Sequence, residues 1–288
     1  MVKERFSLLG KSETVFSLLP PQKRKGGVRS VLVVLALMCA LLPPAGCAQR
    51  AESAEVNVFA AASLTETLRA IAEQYQTVAP EVALRFNFDS SGTLQTQIEE
   101  GADCDLFFSA APKQMDALAD DGAIDGATRV DLLENKIVLA APEGNPKNVR
   151  SFDGLVSALR SGDILLAIGG ADVPVGQYTR KIFEYYGLEE DGLAARGALT
   201  YGSNVKEVTA QVREAAVDCG IVYQTDAYSA GLTIVDTASA ELCGQVVYPA
   251  AVLKGAAHAS EAAAFLAYLQ GPEATAIFEG VGFTSLTK

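Results

Sequence analysis

Short apolar segments alternate with amphipathic segments along the chain from Val56 to the C-terminus. In the first of these units, Val56, Val58 and Ala60 alternate with other residues, as in a mostly buried strand. Leu64, Leu68 and Ile71 then follow at helical spacing, up to a proline that ends the pattern. Strands that alternate with helices in this way indicate an α/β fold with mainly parallel sheets.

Serines stand where the first two predicted strands change into helices. Ser63 is predicted to cap the first helix, with Glu66 three residues later in a capping box. Ser90 and Ser91 follow the second strand and precede the second helix. Free N–H groups and the positive end of a helix make such a junction a candidate anion site, although an ordinary helix cap is the alternative interpretation of each.

Two further junctions repeat this arrangement in the second half of the chain. The segment Val173–Gly176 follows a buried strand and precedes a helix predicted to begin at Gln177. The segment Thr200–Asn204 opens another helix, and the short strand Gly220–Tyr223 ends in a tyrosine. Ligands of open α/β sheets bind outside the carboxyl ends of strands, so the four junctions predict one shared site.

The N-terminal segment has the features of an export signal. Basic residues from Lys23 to Arg29 precede an apolar run, Val31 to Leu42, which is too short to span a bilayer as a mature helix. The run ends in small residues before Cys47 and resembles a bacterial lipoprotein cleavage box, apart from Pro44, where that box usually has leucine. The resemblance implies that Cys47 becomes the lipid-modified first residue; a plain signal peptide is the alternative.

Charge excludes several classes of partner. The chain of 288 residues has a net charge of −12. Without the seven basic and two acidic residues that lie before Ala48, 16 basic and 33 acidic residues remain, a net charge of −17. This acidic body without a basic cluster argues against nucleic acid and against an anionic lipid surface as partners.

Cysteine and histidine spacing does not predict a metal site. The chain has five cysteines and one histidine, and no Cys-x-x-Cys motif. Export permits disulfides, so Cys219 and Cys243, which precede two predicted strands, are a candidate pair, with two buried thiols as the alternative. Cys104 is expected to be free, and Cys39 lies in the leader.

Seven sequence blocks in conserved order and spacing resemble the molybdate-binding protein of bacterial ABC importers. They are AAASL at 60–64, DSSGTL at 89–94, ADCDLFFSA at 102–110, VPVG at 173–176, GIVY at 220–223, VVYPAAV at 246–252 and EGVGF at 279–283. The resemblance implies a two-lobed, type II periplasmic-binding-protein fold with its ligand in the cleft. The expected parts are a signal peptide at 1–47, a tether at 48–55, lobe 1 at 56–137 and 246–288, and lobe 2 at 138–245.

The same resemblance implies a set of ligand contacts and partners. The oxyanion contacts of the family fall on Ser63, Ser91, Val175, Val205 and Tyr223. The two valines would contribute backbone N–H groups only. The implied protein is a monomeric, non-enzymatic receptor without a cofactor, held through Cys47 at the outer face of the cytoplasmic membrane. It would deliver molybdate, and tungstate as well, to a membrane permease.

A site made only of donors suits molybdate and tungstate, which are fully ionised and accept hydrogen bonds without donating any. Hydrogenphosphate carries a proton that such a site would leave unpaired, at a cost of about 1–3 kcal/mol. Sulfate has the same charge as molybdate and must be excluded by size. No basic side chain is expected to contact the ligand, and Lys206, beside Val205, is expected to lie on a solvated helix face.

Two other functions compete with this one. A secreted serine hydrolase would need a base near its nucleophile, but the single histidine, His258, lies in a loop and no Gly-x-Ser-x-Gly motif occurs. A receptor of the same fold for sulfate, phosphate or an organic anion is the second alternative. An organic carboxylate usually requires an arginine clamp, and the candidates Arg69, Arg85 and Arg180 lie away from the strand ends.

Overall fold

The computed structural model describes residues 53–287, and the predicted signal peptide, Cys47 and most of the tether lie outside them. The strands are β1 (Ala54–Ala61), β2 (Val82–Asp89), β3 (Leu106–Phe108), β4 (Val130–Asn135), β5 (Ile137–Ala141), β6 (Leu166–Gly169), β7 (Leu199–Gly202), β8 (Cys219–Tyr223), β9 (Thr233–Thr237), β10 (Val246–Val252) and β11 (Thr284–Ser285).

A turn of 3₁₀ helix (Ala62–Leu64) follows β1, and α-helices connect most of the other strands. The helices are α1 (Thr65–Val78), α2 (Ser91–Glu99), α3 (Pro112–Asp120), α4 (Phe152–Ser161), α5 (Pro174–Tyr186), α6 (Glu190–Ala195), α7 (Val205–Arg213), α8 (Gln224–Ser229), α9 (Ala240–Cys243), α10 (Ala259–Leu269) and α11 (Pro272–Gly280). No helix of the described residues has the length and apolar character that crossing a bilayer requires.

The strands form two sheets, each flanked by helices, so the described chain is two-lobed. The first sheet has the order β11-β4-β10-β3-β1-β2 and the second has the order β7-β6-β8-β5-β9. The chain passes from the first sheet to the second between β4 and β5, which a single residue, Lys136, separates. It returns between β9 and β10.

Both sheets are mixed, which corrects the expectation of mainly parallel sheets. In the first sheet β1 is parallel to β2 and β3, but β10 is antiparallel to β3 and β4. In the second sheet β6 is parallel to β7 and β8, but β5 is antiparallel to β8 and β9. Parallel neighbours need a crossover within one sheet, whereas β5 and β10 enter their sheets from the other lobe.

The second half of strand β1, residues 58–61, is apolar and buried because both of its faces are covered. Val56, Val58 and Ala60 belong to the main core with helix α1, whereas Phe59 packs in a second cluster with Leu94 and its neighbours on the opposite face. The strand is therefore held on both sides, and its carboxyl end presents Ser63 at a fixed position.

Candidate functional site

One small cavity collects all five predicted ligand residues. Ser63, Ser91, Val175, Val205 and Tyr223 line it together with Ala61, Ala62, Asp89, Ser90, Ala110, Val173 and Pro174. It is narrow, since the volume open to the centre of a water-sized sphere is about 10 Å³, close to the minimum that holds one water molecule. Its described lining contains no lysine, arginine or histidine. Larger concavities lie on the surface, but none of them is lined by a predicted ligand residue.

Ser63 does not cap a helix, so the predicted capping box is wrong. The residue lies in the 3₁₀ turn after β1, and neither this turn nor α1 has a side-chain cap. Its Oγ atom instead lies 2.9 Å from the hydroxyl oxygen of Tyr248, on β10 of the same sheet. Because the turn ends the strand at its carboxyl end, the serine faces the cavity.

At the second junction, Ser90 and Ser91 have different roles. Ser90 is the N-cap of α2, and its Oγ accepts a hydrogen bond from the N–H of Thr93 at 3.1 Å. Ser91 is fully buried in the first turn of α2, and its Oγ accepts the N–H of Ala110 at 2.9 Å. The capping bond goes to Thr93, so the backbone N–H of Ser91 is left for a ligand.

Val175 and Val205 contribute the first turns of two helices. Helix α5 begins at Pro174, earlier than predicted, because proline at the first helical position has a suitable φ angle and lacks only an N–H that would be unpaired. Asn204 caps α7 by accepting from Lys206 and Glu207 at 3.0 and 3.2 Å. The N–H groups of Val175 and Val205 receive no side-chain cap, and they belong to the orphan donors of a helix N-terminus.

Close packing brings the first turn of α5 to the end of β6. A Cβ atom on Gly176 would lie 2.3 Å from the carbonyl oxygens of both Gly169 and Gly170. Only glycine allows the helix to begin this near the strand, and the approach fixes the position of the neighbouring Val175 N–H.

Tyr223 completes the cavity with a hydroxyl that has no hydrogen-bond partner in the described chain. Its side chain is 1% exposed, and burial is the largest cause that raises its pKa well above the ordinary value. The phenol therefore keeps its proton. An unpaired hydroxyl in a buried site is costly unless a ligand accepts from it.

Lys206 does not lie on a solvated helix face as expected. Its Nζ atom is 2.7 Å from Oε2 of Glu66 in the first lobe and 2.9 Å from Oδ1 of Asp226 in its own lobe. Burial alone would lower the pKa of Lys206, but the two carboxylates outweigh it and raise that pKa. Lys206 does not line the cavity, and its charge is paired with these two acids.

The two lobes also meet at two places beside the cavity. Nδ2 of Asn204 donates to Oδ1 of Asp89 at 3.2 Å. A Cβ atom on Gly92 would lie 2.2 Å from the carbonyl oxygen of Asp172 in the other lobe. The lobes are therefore in direct contact around the cavity, which corresponds to a closed cleft.

Cys219 and Cys243, the candidate disulfide pair, are buried free thiols, which is the alternative interpretation of their spacing, and Cys104 is free as expected. Cys219 begins β8, whereas Cys243 lines a surface concavity with Ile137, which pairs with Tyr223 at the far end of β8.

The residues of the competing functions lie outside the cavity. Arg85 pairs with Glu55, Arg180 pairs with Glu190, and the guanidinium of Arg69 stacks over a phenylalanine ring. His258 borders a separate concavity on the first lobe. Among the described residues, no group of histidine, cysteine and acidic side chains has the arrangement of a metal site.

Comparison with known proteins places the chain in a family. The model for bacterial extracellular solute-binding proteins matches residues 56–284. A putative ABC transporter substrate-binding lipoprotein, YvgL of Bacillus subtilis, is 34% identical over 88% of this chain and 97% of its own length. The molybdate-binding protein ModA of Escherichia coli is 38% identical over 81% of this chain and 90% of its own.

Solved structures agree with this assignment. The periplasmic molybdate-binding protein of Azotobacter vinelandii aligns with a TM-score of 0.70 and 25% identity, over 80% of this chain and 98% of its own. The substrate-binding domain of a putative molybdenum ABC transporter from Clostridium difficile aligns with a TM-score of 0.61 and 32% identity, over 81% of this chain and 100% of its own. The chain belongs to the bacterial extracellular solute-binding protein family, with its two-lobed type II fold.

Proposed function

We propose that this protein is the substrate-binding component of an ABC importer for molybdate and tungstate. It captures the oxyanion between its lobes and presents it to a membrane permease, by binding and closure without covalent chemistry. The observation that carries the proposal is the buried cavity where the unpaired hydroxyl of Tyr223 meets Ser63, Ser91 and two helix N-termini. The similarity to the molybdate-binding protein ModA and to the substrate-binding domain of a putative molybdenum ABC transporter supports it.

The donors of the cavity fit a tetrahedral dianion. Three side-chain hydroxyls, from Ser63, Ser91 and Tyr223, converge with the backbone N–H groups of Ser91, Val175 and Val205. Hydrogen bonds to an ionised acceptor are about twice as strong as neutral ones, and helix N-termini add favourable dipoles. Such a site needs no lysine or arginine, which suits the acidic body of this protein.

The lobe boundaries and the cellular location of the protein are also inferred. We propose lobe 1 at 56–136 with 246–288 and lobe 2 at 137–245, because Ile137 already pairs with Tyr223 in the second sheet. This moves the predicted boundary by one residue. The protein would act as a monomer outside the cytoplasmic membrane, anchored by lipid on Cys47, which lies outside the described residues.

A thermal-shift experiment tests the ligand. The chain from Ala48 onward is heated with molybdate, tungstate, sulfate or phosphate in parallel. A ligand present at a thousand times its dissociation constant adds about 4 kcal/mol to the free energy of unfolding. We expect a rise of several degrees in Tm with molybdate and tungstate only. An equal rise with sulfate, or none with either metal oxyanion, contradicts the proposal and leaves a receptor for another anion.

Two variants test whether the ligand binds in the cavity. Ser63→Ala and Tyr223→Phe each remove one hydroxyl from its lining, and we expect both to reduce the molybdate-dependent rise in Tm. Ser151→Ala is a control, because this serine caps α4 in the second lobe and does not line the cavity. Equal loss of the ligand effect in all three variants would exclude the cavity as the binding site.

A further inference from the structure

A chain of buried hydrogen bonds leads from the crossing between the sheets to Ser63. Nδ2 of Asn135 lies 3.3 Å from the hydroxyl oxygen of Tyr248, which lies 2.9 Å from Oγ of Ser63. All three residues are less than 5% exposed. Ser63 lines the cavity, whereas Asn135 and Tyr248 do not. The last two are therefore candidates for acting on a ligand through the serine.

The orientation of the Asn135 amide is fixed by a backbone group. The N–H of Lys136 donates to Oδ1 of Asn135 at 2.8 Å, so this atom must be the oxygen. The amino group then points to the other side, where it donates to Oγ1 of Thr225 at 2.9 Å and to Tyr248. The oxygen of Tyr248 thus accepts a hydrogen bond from Asn135.

Proton counting then fixes the direction of the next bond. A phenol carries one proton, and burial, as the largest cause, raises the pKa of Tyr248 well above its ordinary value, so the proton stays. Among the described residues, Asn135 is oriented as a donor to Tyr248 and the hydroxyl of Tyr223 forms no hydrogen bond, so Ser63 is the partner that accepts from Tyr248. Ser63 Oγ receives that proton, and its own proton is directed elsewhere.

The other two hydroxyls of the cavity, those of Ser91 and Tyr223, also have protons that are free for a ligand. Oγ of Ser91 accepts the N–H of Ala110, so its proton is also free for a ligand. The hydroxyl of Tyr223 has no protein partner in the described chain. Each of the three hydroxyls can therefore present a proton to the cavity.

We propose that Tyr248 and Asn135 are positioning residues that hold Ser63 as a hydrogen-bond donor and so make the site select oxyanions that carry no proton. The inference rests on the proposed function and adds to it the groups that set its specificity. A fully deprotonated tetrahedral ion accepts from every hydroxyl. An ion that retains a proton must place it against a lone pair, and the proton of Tyr248 already occupies one of the two lone pairs of Ser63. The carboxylate of Asp89 in the lining already accepts two hydrogen bonds from protein donors.

The matched pair of sulfate and hydrogenphosphate isolates this effect. At mildly alkaline pH both are tetrahedral dianions of similar size, and they differ by one proton. We expect both to bind far more weakly than molybdate, so their affinities are measured by competition against molybdate with each ion in large excess, in the unchanged chain and in Tyr248→Phe. In the variant Ser63 loses its enforced direction. We expect molybdate and sulfate to bind about 3- to 10-fold more weakly, as for one lost hydrogen bond, and hydrogenphosphate to be unaffected or tighter.

Tyr178→Phe is the control, because this tyrosine is also buried and its ring also packs edge-on against Tyr223. Removal of the Tyr178 hydroxyl leaves the hydrogen bonds of Ser63 and Asn135 intact, and we expect an unchanged preference for sulfate over hydrogenphosphate. Thermal unfolding of each variant without ligand shows whether it folds.

Asn135→Asp provides a second test that reverses the relay. A carboxylate only accepts, so Tyr248 would donate to it and Ser63 would donate to Tyr248, which turns a serine lone pair toward the cavity. The added charge acts equally on both dianions, so their ratio reports the reversal. We expect this variant to shift the preference toward hydrogenphosphate.

An unchanged ratio in Tyr248→Phe and Asn135→Asp, or an equal change in Tyr178→Phe, overturns the positioning role and leaves the receptor function intact. Failure of the unchanged chain to bind molybdate or tungstate overturns the proposed function, and this inference with it.

Discussion

The ammonium nitrogen of Lys206 lies 2.7 Å from Oε2 of Glu66 and joins the second lobe to the helix that follows Ser63. The same ammonium lies 2.9 Å from a carboxylate oxygen of Asp226 in its own lobe. Opening of the cleft would break the bond to Glu66 and keep the bond to Asp226. The lysine is thus positioned by a buried acid to hold the lobes together once they close.

Glu66→Gln should therefore speed ligand release. The Glu66 side chain is 57% exposed, and exposed ion pairs contribute about 0.2–1 kcal/mol. We expect the dissociation rate of molybdate to rise by up to about fivefold, with little change in the association rate. The chain has nine tyrosines and no tryptophan, so stopped-flow tyrosine fluorescence is the measurement.

Glu73→Gln is the control for this experiment, since it removes the same charge from an exposed position on the same helix. Glu73 forms no ion pair within the described residues. A similar acceleration in both variants would assign the effect to net charge and not to the bond across the cleft.

Asp226 should make the free energy of unfolding depend on pH. Burial raises its pKa to about 6, and Lys206 offsets this only in part. Because the folded-state pKa lies above the unfolded value, the folded state binds the proton more tightly. This contribution is fully present below about pH 4, and it is lost as the pH rises through about 6.

Asp226→Asn removes this contribution. We expect the free energy of unfolding of the unchanged chain, relative to the variant, to rise by up to roughly 3 kcal/mol between neutral and acidic pH. Urea unfolding across the pH range measures the difference. A pH-independent difference between the two proteins would show that the folded state does not raise this pKa.

Gly92→Ala should hinder closure without harming the fold. The new Cβ would meet the backbone oxygen of Asp172 at 2.2 Å, and that backbone lies in the other lobe. Alanine in a helical first turn is favoured over glycine by about 0.4–1 kcal/mol. We expect the affinity for molybdate to fall at least about tenfold, with an unchanged or higher Tm without ligand.

Gly280→Ala is the matched control, because it also lies in a helix and has open space around the added methyl group. Calorimetric titration with molybdate compares the two variants. Full affinity in Gly92→Ala would mean that the lobes bind the ion without approaching as closely as they do here.

The three thiols of the body should be inert in the folded protein. Burial is the largest cause that raises the pKa of Cys104 and of Cys219 to about 12, and it also raises the pKa of Cys243. A buried, protonated thiol is a poor nucleophile. We expect three free thiols to titrate in denaturant and none in the native chain from Ala48 onward. Fewer than three in denaturant would indicate a disulfide.

The place of the site could be predicted from sequence, because strand periodicity locates the carboxyl ends where ligands gather. Serines at two of these ends carried a visible signal. Val175 and Val205 did not, since a backbone donor leaves no mark on the side chain. Only the resemblance to a family indicated these two positions.

Interactions between distant residues were beyond sequence reasoning. Ser63 has the local pattern of a helix cap, yet its partner is Tyr248, 185 residues later. Tyr248 lies in an apolar strand where nothing marks its hydroxyl as important. The same lack of spatial information left the pairing of Cys219 and Cys243 open and led to the expectation that the sheets are mainly parallel.

The single residue between β4 and β5 has a consequence for the affinity that so small an ion can reach. A tetrahedral oxyanion offers very little surface of its own. Because Lys136 alone links the strands at this crossing, each lobe meets the other at a high effective concentration, and most of the entropy of bringing them together is lost during folding. The ion therefore needs only to shift the equilibrium between open and closed lobes toward the closed state. Contacts between the lobes can then supply binding free energy that the small ion cannot supply by itself.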